Sequence, residues 1–312
     1  MKRSLTLAIL LFSSVWVCAQ TQTFKHVKIR RHRSAEKRVL VDKVGVLTFD
    51  DASRKLTFKS DVGDKFEPQD KFEAPYDSVT KIVFEETTHM RGGGAAQVIS
   101  QATIVGTIIG TRMAGQHVRD YWLYLEYTNG DHSDHVLLEV PKDSSDTVIG
   151  KATALFGPKV TITLFPEIGQ EVDAQKLADF KSKHTLKVDK TNRPSPELKP
   201  DKATIFVVCP PLAARDSGKG NQFKLHANDH VVAVNRAGTY SFAYLDPGNY
   251  RLVSQSENAN GFEMNLEAGK TYYFLQNTFQ GALRWRTSLS RNSPELVNYL
   301  ADGTYFSDWK RK

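Results

Sequence analysis

Two phrases near the C-terminus decide the fold: Leu245-Asp246-Pro247-Gly248-Asn249-Tyr250-Arg251-Leu252 and Leu266-Glu267-Ala268-Gly269-Lys270-Thr271-Tyr272-Tyr273-Phe274. Each sets a turn before a strand. Proline presets φ at the first corner of a turn, and glycine supplies the positive φ of the second. Alternation then puts Tyr250 with Leu252 on one face, and Tyr272 with Phe274 on one face of the later strand. Working outward, strands are predicted at 204–209, 222–226, 230–235, 238–245, 249–254, 261–266 and 270–278. Turn residues separate them at near-regular intervals, which specifies an antiparallel β-sandwich over 203–280.

The N-terminal half carries a different pattern. Val44 to Phe49 alternates, ends at Asp50-Asp51-Ala52-Ser53, and resumes with Leu56 and Phe58 on one face, the signature of a hairpin. Residues 78–84 read as a strand. Trp122 to Tyr127 runs into Asn129-Gly130 and returns through 135–140, and Asn-Gly marks a hairpin because both residues tolerate positive φ. Val148, Ile149, Ala152, Leu155 and Phe156 then recur at helical spacing, with Ser144 or Ser145 as the cap and Gly157-Pro158 as the stop. The chain is therefore mainly β: a curved antiparallel sheet with a C-terminal capping helix over 44–165, then a separate antiparallel sandwich.

Both halves resemble known groups. Gly45-Val46-Leu47-Thr48-Phe49, Leu56-Thr57-Phe58, Tyr76-Asp77-Ser78-Val79-Thr80-Lys81-Ile82, the 121–127 strand and the closing helix are similar to bacterial pleckstrin-homology-like (PH-like) and GRAM-like domains. That resemblance implies a curved sheet used as a docking platform. Relatives that bind phosphoinositides use a basic loop between the first two strands. Here the loop is Asp50-Asp51-Ala52-Ser53-Arg54, with two acids and one base, so that activity is not carried over. The second half resembles an uncharacterised domain family, a domain of unknown function, found in exported bacterial proteins. The resemblance rests on 203–210, Gly238-Thr239-Tyr240-Ser241-Phe242, Asp246-Pro247-Gly248 and 269–274. It implies a transthyretin-like sandwich and brings no catalytic residues.

The N-terminus reads as a secretory leader over 1–19. Lys2 and Arg3 precede an apolar run from Leu5 to Val17, and Val17-Cys18-Ala19 offers small residues before Gln20. Trp16 and Val17 fit a lipidation site at Cys18 poorly. Removing Lys2 and Arg3 lowers the formal charge from +7 to +5 and leaves Cys209 as the lone cysteine, set in an apolar strand that suits burial. The protein is thus expected to be exported, periplasmic or secreted, where nucleic acid is not the partner. Residues 20–43 read as a basic arm suited to an anionic membrane surface or to solvent.

Residues 92–116 form a Gly/Ala-rich apolar insertion. Gly106, Gly110 and Ala114 share one helical face and would admit a close neighbour. Three readings stay open for 95–115: internal packing, self-association and membrane contact. Residues 166–202 read as a short helix, 173–184, and a linker bearing Pro194, Pro196 and Pro200. The extension 281–312 holds a helix opening at Ser293-Pro294 and two aromatic–cation clusters with Trp285, Arg286 and Trp309 as interaction candidates.

Chemistry is sparse. His132, Asp134 and His135 have zinc-ligand residue types, but a polar hairpin turn explains them without metal, and no metal is expected. The Gly-x-Ser-x-Gly elbow of α/β-hydrolases is absent from this sequence. No cofactor is expected. The reading is a non-enzymatic binding or interaction protein of the cell envelope, acting on a protein partner or envelope component. The alternatives are membrane association through 95–115 and the basic arm, or a hydrolase whose site is assembled from distant residues.

Overall fold

A computed structural model describes residues 21–33, 38–61, 71–91, 116–165, 167, 169–211, 221–280 and 285–311. The fold is mainly β, in three sheets with two α-helices among the described residues.

The first sheet contains β1 (Gln22–Arg33), β2 (Arg38–Asp50), β3 (Lys55–Ser60), β4 (Lys71–Pro75), β5 (Val79–Arg91), β6 (Gln116–Asn129), β7 (His132–Val140) and β8 (Val160–Leu164). Their order is β4-β3-β2-β1-β7-β6-β5-β8. Two meanders are thus joined through the antiparallel β1–β7 pair, and β8 adds in parallel beside β5. The sheet curls. Phe72 on β4 meets Tyr127 on β6 with ring centroids 6.1 Å apart. Leu47, Phe58, Phe84 and Leu125 all point into one core, which α1 (Lys142–Phe156) closes with Val148, Ala152 and Phe156. Lys151 on this helix is ion-paired with Asp51 of the β2–β3 turn, and Asp51 also accepts from the Tyr76 hydroxyl.

Of the 20–43 stretch expected as an arm, Gln22–Arg33 form β1 and residues 38–43 lie in β2. An irregularity hid this strand from the alternation rule. Phe24 stands opposite Leu47 and Val27 opposite Gly45, so one extra residue bulges out, with His26 at φ 60°. The buried residues Phe24, Val27 and Ile29 therefore lose strict period two. The α1 start also differs. It follows Pro141 without a side-chain cap, and the Ser145 hydroxyl donates back to the Lys142 carbonyl at 2.8 Å. Gly157, at φ 51°, ends it as expected. In the β6–β7 hairpin Asn129 is still paired, and the two-residue loop is Gly130-Asp131 with Gly130 at φ 62°.

The other two sheets face each other. One has the order β10-β19-β14-β11-β17-β18 and the other β13-β12-β15-β16-β9. Their strands are β9 (Gln170–Val172), β10 (His184–Asp189), β11 (Ala203–Cys209), β12 (Phe223–Ala227), β13 (His230–Asn235), β14 (Thr239–Leu245), β15 (Gly248–Gln255), β16 (Ala259–Leu266), β17 (Thr271–Gln280), β18 (Trp285–Asn292) and β19 (Tyr305–Arg311). Ile205, Val207 and Phe274 of the first meet Leu225, Leu252 and Leu266 of the second in a shared core. Tyr250 and Tyr272 join it, as the turn phrases predict. Cys209 is fully buried. Pairing is antiparallel except for β11–β17 and β14–β19.

The expected linker is structured over 169–202. It supplies β9 to one sheet and β10 to the other, and 173–184 holds only a single 3-10 turn at Ala174–Lys176. Leu177 and Phe180 still bury their side chains, against Val253 and Ala259. The proline-bearing part is pinned across the six-stranded sheet. Tyr240 donates to the Pro194 carbonyl at 2.9 Å, Tyr244 accepts from the Glu197 amide, and the Lys199 ammonium sits 4.0 Å over the Tyr244 ring.

Candidate functional site

The two halves meet at α2 (Pro294–Ala301). Ser293 caps it by accepting from the Leu296 amide at 3.2 Å, and proline occupies the first turn, where its missing N–H costs nothing. Only five of its eight residues are apolar and buried, yet they touch two sheets. Leu296, Val297 and Leu300 pack with Val83, Tyr124 and Leu137 from the outer face of the first sheet and with Phe206, Val208 and Leu275 from the outer face of the six-stranded sheet. Tyr124 and Tyr299 meet edge to face at 5.6 Å, and the Tyr299 hydroxyl donates to the His135 carbonyl. Arg193 donates to the carbonyls of Ala301 and Asp302 at the C-terminal end of the helix.

A buried carboxylate anchors the same seam. Glu85 on β5 is 1 % exposed. It accepts from the Asn292 side-chain amide at 2.7 Å, the Ser293 amide at 3.2 Å and the Ser293 hydroxyl at 2.6 Å. Removal from water outweighs these donors and pushes its pKa up to about 7. Half-buried Lys81 and Glu295 form an ion pair beside it at 2.6 Å.

A second polar cluster lies where β10, β12, β13 and β19 approach one another. Asp179 accepts from the Val231 amide at 3.2 Å and pairs with Arg311 at 2.7 Å and His230 at 3.6 Å. Burial works to raise its pKa, and these partners more than offset it, holding the carboxyl below its usual range. Lys224 donates to the Phe180 carbonyl at 2.8 Å, and His226 bonds Gln255 at 2.7 Å. His184 is buried edge-on to Trp309, with both ring nitrogens unpartnered. Burial lowers the pKa of His184, aided by Lys224 and Arg311, and burial likewise lowers that of His226. The cluster joins a strand amide and a loop carbonyl through the Asp179 carboxylate and the Lys224 ammonium.

The residues singled out in sequence are dispersed. His132 is exposed at the hairpin. Asp134 is buried and accepts from Asn129 at 3.0 Å, whereas His135 points to the opposite face, toward Tyr124 and Tyr299. Successive strand residues alternate faces, so these three side chains do not converge. Among the described residues no three His, Cys, Asp or Glu groups come together as a metal set. Trp285 and Arg286 begin β18 at one edge of the six-stranded sheet, Arg286 beside Glu171, while Trp309 lies on β19 near the other edge. Gly106, Gly110 and Ala114 lie outside the described residues, as do 95–115 as a whole and Arg284. Among the described residues no helix is long and apolar enough to cross a membrane. Sequence reasoning missed Glu85, because an acidic residue inside a Val-Phe-Glu-Glu run carries no sign of which face it occupies. The Ser293-Pro294 helix start was the legible half of that contact.

No protein-family model matches this sequence, and no curated protein matches it.

Proposed function

We propose that this chain is a non-enzymatic interaction protein of the cell envelope, exported and acting as a rigid platform made from a PH-like sheet and a transthyretin-like sandwich. One observation carries the reading: α2 and Glu85 form a seam that fastens the two β units to each other. The two meanders joined at β1–β7 and closed by α1 suit a PH-like unit, and the two facing sheets suit a sandwich. Several polar side chains of the two clusters hold backbone groups, as Glu85 holds the Ser293 amide, Asp179 the Val231 amide and Lys224 the Phe180 carbonyl. That is a use of polarity for shape, which a docking surface requires.

Two measurements test it. Intact mass of the protein from an osmotic-shock fraction should begin at Gln20, and a chain retained in the cytoplasm with residues 1–19 in place contradicts export. Immobilised full-length chain should retain an envelope component that a Leu296→Asp variant, unfastened at the seam, retains less. Turnover of ester, peptide or glycoside substrates by the purified chain would instead favour the hydrolase reading.

A further inference from the structure

We propose that β8 is a pairing edge through which two copies of this chain associate, antiparallel and about a twofold axis at Ile162. An open sheet edge presents a row of unpaired N–H and C=O groups, and proteins guard such edges with charge, proline, brevity or cover. The three sheets have six edges among the described residues. Five are guarded. β4 carries Lys71, Glu73 and Pro75. β10 carries Lys187 and Asp189. β9 is only three residues long. β13 has its Val231 amide taken by Asp179 and its Val234 carbonyl by the Ser307 hydroxyl. β18 has its Thr287 and Leu289 amides taken by the Asn258 and Asn260 side chains.

Among the described residues, β8 has none of these devices. Its sequence is Val160-Thr161-Ile162-Thr163-Leu164, without charge or proline, and Ile162 and Leu164 are 51 % and 67 % exposed. The occupant follows from the strand itself, which reads nearly the same in both directions. Centred on Ile162, antiparallel pairing sets Val160 against Leu164 of the second copy and Thr161 against Thr163. One face is then wholly apolar and the other consists of threonine pairs, both favourable across strands. A one-residue slip sets threonine against isoleucine and loses this match. Such a contact is isologous, so it closes as a dimer and does not propagate. No like charges are brought together: Lys159 is turned back onto the Val79 carbonyl, and Glu86 at the Leu164 end is paired with Arg119. Two five-residue edges bury less than the ~1,200 Å² of a standard interface, so the association is weak and reversible.

Sedimentation velocity over a concentration series tests this on the intact chain. The wild type should shift from monomer toward dimer as concentration rises through ~10–100 µM. Ile162→Lys should stay monomeric with an unchanged unfolding midpoint. Opposed Cα atoms of an antiparallel pair lie ~4.5–5.5 Å apart, within disulfide range. Mild oxidation should therefore cross-link Ile162→Cys to itself far more than Leu164→Cys. A wild type that stays monomeric throughout, a dimer that survives Ile162→Lys, or equal cross-linking of the two cysteine variants would overturn the proposal.

Discussion

Glu85 keeps a hydrogen-bonded carboxyl in a nearly dry setting, and that has a pH signature. Its pKa rises from 4.5 to about 7 on folding. The folded state therefore binds more protons than the unfolded state between those values, and stability falls as pH rises through this window. The full shift corresponds to about 3 kcal/mol. Urea unfolding at pH 5 and pH 8 should show this loss in the wild type and a flatter dependence in Glu85→Gln; equal slopes would remove the group from the account. Gly261 makes a sharper steric statement. A Cβ there would lie 2.1 Å from the Leu252 carbonyl oxygen and 2.8 Å from the Val253 Cα, both backbone atoms of the paired strand. Gly261→Ala should lower stability by roughly 1–3 kcal/mol, read as a lower urea midpoint at unchanged slope.

Among the elements, β18 shows how an edge is sealed from across the fold. The Asn258 side chain accepts from the Thr287 amide and donates to the Thr287 carbonyl, each at 2.8 Å, mimicking a neighbouring strand. Asn258→Ala leaves two buried backbone groups without partners and should cost roughly 1–3 kcal/mol. Asn258→Asp keeps the acceptor but sets a carboxylate against a carbonyl, so it should recover no more than part of that loss. Chemical denaturation of the three chains checks the order. The strands from Ala203 to Gln280 were legible because their turns carry proline, glycine or Asn-Asp and their faces alternate cleanly. β1 was not, since the bulge at Lys25-His26 breaks the period. β9, β10 and β19 were also missed. Their residues are mostly polar, and pairing across long sequence separations, such as His184 with Arg311, selects them as strands. Residues 173–183 join no strand: a marginal amphipathic pattern yields a single 3-10 turn, with Leu177 buried against Val253 and Ala259.

At the scale of the whole molecule, the two β units share a seam. The sequence marks α2 by its cap and proline but gives no sign that one short helix has two apolar faces to satisfy. That arrangement appears only once Val83, Tyr124 and Leu137 are seen on the outside of the first sheet. The ion pair of Lys81 and Glu295 adds little, because both groups stay partly in solvent. The fastening therefore rests on the α2 contacts and on Glu85. A double-mutant cycle of Glu85→Ala and Ser293→Ala, read by urea unfolding, tests this most directly. Ser293 also caps its own helix, and the cycle subtracts that contribution from the contact between halves. The account predicts a coupling energy of about 1–3 kcal/mol between the two residues. Strictly additive effects would contradict it and return the two units to independence.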